Sequence, residues 1–234
     1  MRLLVTRPEP DAERTATALR ARGHMVVVIP LLRIEAVESA ELGPGTFAAI
    51  LVTSANAAPA VVRHRQFAQF RALPVFAVGE RSAQAMRAAG FADVSFADGD
   101  AGDLARLVTE RLKPGMVLLH LAGADRSGNL GGTLSARGFV VHTTVIYRAV
   151  AAGAFPPVAA EVVAGGIDGV LHFSRRSAEA YVSAVRDDER ALKKPAHFCL
   201  SAHVSVPLAQ AGAPDVRVAP QPTEAALIAL IPAP

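Results

Sequence analysis

The hydrophobic positions of this chain follow one local pattern that recurs six times. Each copy is a short apolar strand, a polar loop that opens on a small or hydroxyl residue, and a helix. The six strands begin at Leu3, Ile50, Val75, Leu118, Val170 and Phe198. In a parallel sheet all such loops leave from the carboxyl ends of the strands, where α/β proteins bind their ligands. The pattern therefore predicts an α/β protein with parallel sheets and a ligand site at that edge.

The segments between these strands carry helix signals. A helix predicted over Ala12 to Arg22 ends at Gly23, where glycine enters the left-handed conformation at little cost. The β-branched run from Met25 to Ile29 then predicts a second buried strand. Further helix–glycine–strand successions end at Val94 and Val141. Strands and helices thus alternate along the whole chain.

Two segments break this alternation and predict two domains. Residues 31–37 and 143–150 mix polar and apolar positions, as partly exposed extended strands do. We interpret them as linkers, at about residues 31–38 and 143–150, that bound a second α/β domain over residues 38–146. The first two strands then share a domain with the last three. This first α/β domain is discontinuous and comprises residues 1–35 plus 150–234.

Composition narrows the partners that the chain could have. Its 234 residues are 51% hydrophobic and 19% charged, enough for a substantial core. Lys and Arg number 24 against 21 acidic residues, and the net charge of +3 mildly favours an anionic ligand. There is no run of Lys and Arg, only 5% of residues are aromatic and none is Trp. A nucleic-acid partner is therefore not predicted.

Cysteine content and hydropathy indicate a cytoplasmic protein. The one cysteine, Cys199, cannot form an intramolecular disulfide, which fits a reducing compartment. The longest near-apolar stretch, from Met25 to Leu32, is far too short to cross a bilayer. The apolar run that follows Met1 is too short for a signal peptide. We therefore expect no membrane association.

Most catalytic signatures are absent. The chain has no GxGxxG after its first strand, no GxSxG elbow and no HExxH, so nucleotide binding, serine-type catalysis and a zinc site are not predicted. Residues 123–130 have the glycine spacing of a phosphate-binding loop but lack its Lys-Ser/Thr pair. His120, His172 and His197 lie in or beside strands, where packing in the core is the favoured interpretation.

What remains is a set of small, hydroxyl, amide and basic residues on the loops and helix starts. It comprises Thr6, Arg7, Ser54, Asn56, Gly79, Ser82, Gly123, Arg126, Ser174, Arg175, Arg176, Ser201 and Thr223. The hydroxyl residues could simply cap helices, but a capped turn still offers backbone N–H groups to an anion. The arginines could be solvated surface charges, yet their planar donors suit carboxylates. Both interpretations stay open for each residue.

Ordered motifs along the chain resemble the uroporphyrinogen-III synthase family. They are Leu4-Val5-Thr6-Arg7-Pro8-Glu9, Leu51-Val52-Thr53-Ser54-Ala55-Asn56-Ala57, Phe76-Ala77-Val78-Gly79-Glu80, Val145-Ile146-Tyr147-Arg148-Ala149 and Pro222-Thr223-Glu224. The resemblance implies two flavodoxin-like parallel-sheet domains joined by a two-stranded linker, with the first domain built from both chain ends. It further implies that linear hydroxymethylbilane, a tetrapyrrole with eight carboxylates, binds in the cleft between the domains.

The resemblance also implies a reaction. The family closes hydroxymethylbilane to uroporphyrinogen III with loss of water and inversion of ring D, in haem biosynthesis, and uses no cofactor or metal. It implies a cytoplasmic monomeric lyase, with the substrate handed over transiently from hydroxymethylbilane synthase. The substrate-binding residues would then be Thr6, Arg7, Ser54, Asn56, Gly79, Ser82, Gly123, Arg126, Ser174, Arg175, Ser201 and Thr223.

Tyr147 matches the family's linker tyrosine and is the candidate for assisting departure of the hydroxyl group. The alternative is an aromatic side chain that only packs at the domain junction. The chain departs from the family pattern at Ser82, Asn56, His203 and Val204. The last two replace hydroxyl residues of relatives, which leaves Ser201 and Ser205 in that helix start. A second function stays open, a non-catalytic two-domain sensor or binding module for a small polycarboxylate anion.

Overall fold

The computed structural model describes residues 1–43, 45–125, 128–152, 160, 163 and 165–233. Its contacts divide the chain into two compact units. Unit 1 comprises Met1–Arg33 and Val150–Pro234, and unit 2 comprises Ile34–Ala149. Each unit is an α/β layer structure around its own sheet, which is parallel in unit 1 and mainly parallel in unit 2, so the predicted fold class is confirmed.

The described elements follow one another in the expected alternation. In chain order they are β1 (Arg2–Val5), α1 (Asp11–Arg20), β2 (Met25–Val28), β3 (Leu32–Ala36), β4 (Ala49–Val52), α2 (Ala57–Val62), α3 (Phe67–Phe70), β5 (Val75–Val78), α4 (Gly79–Ala88), β6 (Val94–Ala97), α5 (Ala101–Arg111), β7 (Val117–Gly123), α6 (Leu130–Ser135), β8 (Val140–Ala151), β9 (Gly169–His172), α7 (Arg175–Ala184), α8 (Glu189–Lys193), β10 (Ala196–Cys199), α9 (Ala202–Gln210), β11 (Val216–Val218) and α10 (Glu224–Ala229).

The sheet of unit 1 has the order β11-β10-β9-β1-β2, and its pairings are parallel. Numbered within the unit, this is the flavodoxin-like order 2-1-3-4-5. Its central strand β9 is buried at every residue, as a strand covered on both faces must be. Side chains of α1 and α10 pack on one face of the sheet, and those of α7 and α9 pack on the other.

The sheet of unit 2 has the order β3-β8-β7-β4-β5-β6. Strands β4 to β8 are parallel and, numbered within the unit, run in the order 3-2-1-4-5. This differs from the order of unit 1 because the chain enters the parallel sheet of unit 2 through its central strand, β4. Side chains of α2, α3 and α4 pack on one face, and those of α5 and α6 pack on the other.

Candidate functional site

In each sheet the strand order reverses at one position, between two neighbouring strands from which the chain runs to opposite edges of the sheet. In unit 1 these strands are β1 and β9, followed by α1 and α7. In unit 2 they are β4 and β7, followed by α2 and α6. The diverging loops leave a crevice at the carboxyl ends of such strands, and ligands of α/β proteins bind there. We call these two positions switch point 1 and switch point 2.

Tyr147 reaches switch point 2 through an irregularity in strand β8. Ala122 of β7 pairs with Val145, but the next residue, Gly123, pairs with Tyr147, so Ile146 is skipped. Such a bulge puts one extra residue into a strand and redirects the side chain that follows. Ile146 and Tyr147 therefore both pack against the core on the α2–α4 face, although neighbours in a regular strand point to opposite faces.

The Tyr147 ring lies against the backbone of Gly123. A Cβ atom added to Gly123 would be 2.7 Å from Cε2, 2.8 Å from Cζ and 2.9 Å from Oη of Tyr147. Farther along the chain, the backbone N–H of Ala124 donates to the Tyr147 carbonyl oxygen at 3.0 Å. The phenol is thus held at the end of β7, in the loop region that forms switch point 2.

The surroundings of Tyr147 keep its phenol protonated. Burial is the main cause that raises the pKa of Tyr147, and the negative charge of Asp125 raises it further. Hydrogen bonding to the Ser54 side chain and to the Gly123 backbone opposes this rise in pKa. Since an ordinary phenol already has a pKa near 10, this group is a proton donor at neutral pH. A group that protonates a leaving hydroxyl must itself carry a proton at neutral pH, and the Tyr147 phenol meets this condition.

The other predicted residues of unit 2 surround the same edge. Ser54 follows β4, and its hydroxyl accepts the backbone N–H of Asn56 at 3.3 Å. Asn56 precedes α2, and its side chain makes no capping hydrogen bond. Gly79 begins α4 with φ of +72°, and nothing lies within 4 Å of the Cβ position it lacks. Ser82, one turn farther along α4, is buried.

At switch point 1 the Arg7 guanidinium is part of an ion-pair network. It donates to Asp11 Oδ2 at 2.9 Å and lies 3.5 Å from Glu224 Oε2. Its plane also covers the Phe173 ring, with Cζ 4.1 Å from the ring centroid. Arg14 pairs with Glu224 at 2.5 Å. The side chain of Arg7 is only 15% exposed, so this network ties the ends of β1 and β9 to α1 and α10.

Of the four predicted hydroxyl residues of unit 1, three have side chains that hydrogen-bond to the protein backbone. Thr6 is fully buried and donates to the Leu171 carbonyl at 3.0 Å. Ser174 caps α7 by accepting the N–H of Ser177 at 3.1 Å, and Thr223 caps α10 through the N–H of Ala226 at 3.2 Å. Ser201 precedes α9 without a side-chain cap.

The basic residues after Ser174 lie in the first turn of α7. Arg175 donates to Glu179 at 2.8 Å, and both side chains are more than 40% exposed. Arg176 is the second residue of that helix. The remaining predicted residue, Arg126, lies outside the described part of the chain.

Two histidines form a buried pair beneath switch point 1. His172 Nε2 lies 3.1 Å from His197 Nδ1, and His197 Nε2 lies 2.9 Å from the Leu192 carbonyl oxygen. The carbonyl can only accept, so His197 carries its proton on Nε2 and accepts from His172. Burial lowers the pKa of both rings, and His172 lies well below the ordinary histidine value. Both rings are therefore neutral and belong to the core.

Three acidic residues of these sites were not among the predicted site residues, although Glu224 belongs to one of the family motifs. Asp125 acts on Tyr147 across switch point 2, while Asp11 and Glu224 flank Arg7. The spacing of Arg7 and Asp11 was a usable signal, because oppositely charged residues four apart often pair. Glu224 has no such signal, since it lies near the other end of the chain.

Two negative findings hold for the residues that the structure describes. Within them, no cluster of three or more histidine, cysteine or acidic side chains has the arrangement needed to hold a metal ion. In the same part of the chain, no helix combines the length and apolar character that crossing a membrane requires.

Comparison with known proteins agrees with this architecture. In the chain, residues 13–229 match the family model of uroporphyrinogen-III synthase HemD. A solved uroporphyrinogen-III synthetase from Helicobacter pylori superposes with a TM-score of 0.64 at 17% identity, covering 98% of each chain. A mutant uroporphyrinogen III synthase from Thermus thermophilus gives a TM-score of 0.50 at 15% identity, covering 98% of this chain and 97% of its own.

The kinds of comparison carry different weight. At identities below a fifth, the likeness to solved structures shows the fold. No curated protein matches the chain in sequence. The family match, by contrast, spans most of both units. The chain therefore belongs to the uroporphyrinogen-III synthase family.

Proposed function

We infer that this protein is a uroporphyrinogen-III synthase of tetrapyrrole biosynthesis, acting on linear hydroxymethylbilane. The family match over residues 13–229 is the observation that carries this conclusion. The position of Tyr147 at switch point 2 supports it, because a protonated phenol there suits a reaction that starts with loss of a hydroxyl group.

We propose a hydro-lyase reaction in which Tyr147 is the acid. The phenol donates its proton to the hydroxymethyl oxygen, the carbon–oxygen bond breaks, and water leaves. The methylene carbon then bonds to ring D through a spiro-pyrrolenine intermediate, and rearrangement inverts that ring. When the final pyrrole carbon regains aromaticity it releases a proton, which restores the phenol. The net change is the loss of one water, with no oxidant, metal or cofactor required.

The protein's larger task in this proposal is to hold the bilane in one folded geometry. Its hydroxyl leaves readily, so the inverted closure must be favoured over the direct one by positioning. Loops at the carboxyl edge of each sheet would bind the carboxylates through backbone N–H groups and helix N-termini. Gly79 is well suited because no side-chain atoms crowd it. Asn56 and Ser201 have side chains that do not cap their helices.

The remaining substrate-binding residues are proposed with different roles. Thr6, Ser174 and Thr223 shape their loops through the backbone hydrogen bonds described above, so their contribution would come from the N–H groups that they orient. Arg7, Arg175 and Arg126 would supply positive charge. Ser54, Ser82 and Gly123 complete the set on unit 2. We further propose that the protein acts as a monomer and receives the bilane transiently from hydroxymethylbilane synthase.

The deciding experiment is an isomer assay. Hydroxymethylbilane is generated enzymatically in the presence of the protein, and the oxidised porphyrin products are separated into type I and type III isomers. We expect the type III isomer to dominate and its share to rise with protein concentration. Type I product alone would mean that the protein does not catalyse closure, and would favour the polycarboxylate-binding module instead.

A further inference from the structure

Gly123 lies at the tightest packing position of switch point 2. The missing Cβ of this residue would be within 2.9 Å of three atoms at the end of the Tyr147 ring, distances that real Cβ atoms do not reach. Any side chain at position 123 would therefore push the phenol away. The clash involves the hydroxyl-bearing end of the ring, which is the part that would act on a substrate.

The need for glycine here is steric and does not come from the backbone. The backbone of Gly123 does not have a positive φ, unlike that of Gly79, Gly128 and Gly138. It ends strand β7, where any residue could adopt the backbone conformation. Glycine is therefore required at position 123 by the contact with the Tyr147 ring and not by the backbone conformation.

The bulge and the glycine act on the same side chain. The bulge at Ile146 turns Tyr147 toward the α2–α4 face and opposite Gly123, and the missing Cβ lets the ring settle onto the strand. At that place the phenol lies close enough to Ser54, which follows the neighbouring strand β4, for this side chain to lower its pKa. Strands β4 and β7 are the pair that forms switch point 2.

We propose that Gly123 is a positioning residue for the Tyr147 phenol, seating it at switch point 2 in the geometry that ring closure requires. The role as an acid rests on the proposed function, but the seating itself does not. Gly123 acts here through the tyrosine, and its own contact with a substrate carboxylate is not needed.

The seating is tested without substrate by Gly123→Ala in the full chain. The chain has only two tyrosines, so ring-labelled tyrosine gives two NMR signals, which Tyr147→Phe assigns. We expect Gly123→Ala to shift the Tyr147 signal and to move its pKa down toward the ordinary phenol value, because burial is the main cause of its rise. The Tyr181 signal should stay. An unmoved Tyr147 signal and pKa would overturn the proposal.

The catalytic consequence is tested by turnover to the type III isomer. We expect Gly123→Ala to lower kcat by roughly tenfold to a hundredfold with little change in KM, since small displacements of a catalytic group cost about that much. Gly131→Ala is the matched control. It lies in helix α6 of the same unit, and its new Cβ would make only an ordinary 3.5 Å contact with Thr143.

Combining Gly123→Ala with Tyr147→Ala shows whether Gly123 acts by positioning the phenol or by binding the substrate directly. This truncation removes the ring with which the new Cβ collides, so Gly123→Ala should then cost no further turnover and no further stability. With the tyrosine present, we expect the unfolding midpoint to fall by roughly 2 to 10 °C from overpacking. An equal loss from Gly123→Ala in both backgrounds would contradict the proposal.

A failure of the proposed function and a failure of the Gly123 proposal give different results. If the wild-type protein gives only type I product, the synthase assignment fails, while the NMR signal still decides whether Gly123 seats the phenol. If Gly123→Ala does not fold, the double variant with Tyr147→Ala must fold, because the clash is gone. A double variant that also fails to fold would overturn the proposal.

Discussion

At switch point 1 the Arg7 guanidinium lies among Asp11, Glu224 and Phe173, whereas at switch point 2 the Tyr147 phenol lies on Gly123 beside Ser54. The first arrangement joins opposite charges and is nearly self-contained. The second holds a weak acid by steric fit, and burial, with a smaller contribution from Asp125, raises the pKa of the phenol and keeps it protonated. Both edges lie at the carboxyl ends of parallel strands where the strand order reverses. They differ in the groups to which their polar side chains are bonded.

This difference indicates that switch point 1 serves mainly to fix its loops, whereas switch point 2 carries a group that can take part in the reaction. At switch point 1 the Arg7 network and three of the four predicted hydroxyl residues are bonded to other groups of the same unit, which fixes loops whose N–H groups can then bind anions. In unit 2 the bulge in β8 places the Tyr147 phenol, which can donate a proton, at the edge of the sheet. We therefore expect substitutions at switch point 1 to change stability first, and those at switch point 2 to change turnover first.

The largest expected effect is on turnover at switch point 2. Tyr147→Phe removes the donated proton and keeps the ring, so type III formation should fall by about a hundredfold, the low end for a general acid because the hydroxyl leaves readily. The unfolding midpoint should change little. Kinetics with enzymatically generated bilane measures the effect, and unchanged turnover would remove Tyr147 from the mechanism.

A comparable substitution at switch point 1 should act on stability. Arg7→Leu leaves Asp11 and Glu224 partly buried with fewer positive partners, and we expect the free energy of unfolding to drop by about 2 kcal/mol. Urea denaturation measures this drop. Arg217→Leu is the control, because its pair with Asp215 is more than 40% exposed and should contribute at most about 1 kcal/mol.

The Arg7 substitution can also break the comparison. A variant with unchanged stability and a strongly raised KM would show that Arg7 acts on the substrate alone and contributes nothing to the stability of its own unit. The contrast between the two edges would then have to be withdrawn.

Acid should weaken unit 1 through its buried histidines. Folded His172 and His197 have lowered pKa values, while unfolded histidine titrates near 6.5. Between that pH and the lowered pKa of each folded ring, only the unfolded chain gains the proton, so stability falls as pH falls, by about 1.4 kcal/mol per pH unit for each ring. Above the unfolded value the two states do not differ. Denaturation midpoints measured between neutral and mildly acidic pH reveal the slope.

His172→Gln should flatten this slope, whatever it does to stability at neutral pH. His203→Gln is the matched control, since His203 is exposed in the first turn of α9 and should leave the slope as it is. A wild-type slope in His172→Gln would show that other groups cause the acid sensitivity.

The smallest effects concern helix starts. Ser174→Ala removes a capping hydrogen bond and should cost about 1 kcal/mol of stability, whereas Asn56→Ala, which removes none, should cost a few tenths. If Asn56 instead binds a carboxylate, its loss should raise KM severalfold. Urea denaturation and steady-state kinetics on both variants decide this. If Ser174→Ala and Asn56→Ala lose equal stability, the two helix starts do not differ in side-chain capping.

Local sequence predicted much of the architecture. Apolar runs such as Leu3 to Val5 and Ile50 to Val52 are strands because short β-rich segments covered on both faces must be apolar throughout. The hydroxyl residues at Ser174 and Thr223 cap helices, one of the two roles considered for them. Tyr147 was identified as a candidate by resemblance, since its surroundings have no local signal.

The sequence by itself determined the alternation of strands and helices, the residues that occupy the carboxyl edges, and the family. These depend on periodicity and on neighbours in the chain. Only the tertiary structure decided the order of the strands, the pairing of Arg7 with Glu224, and the packing of Tyr147 on Gly123. Those contacts join segments far apart in sequence, so they depend on how sheets and helices pack and on a one-residue bulge that no local pattern records.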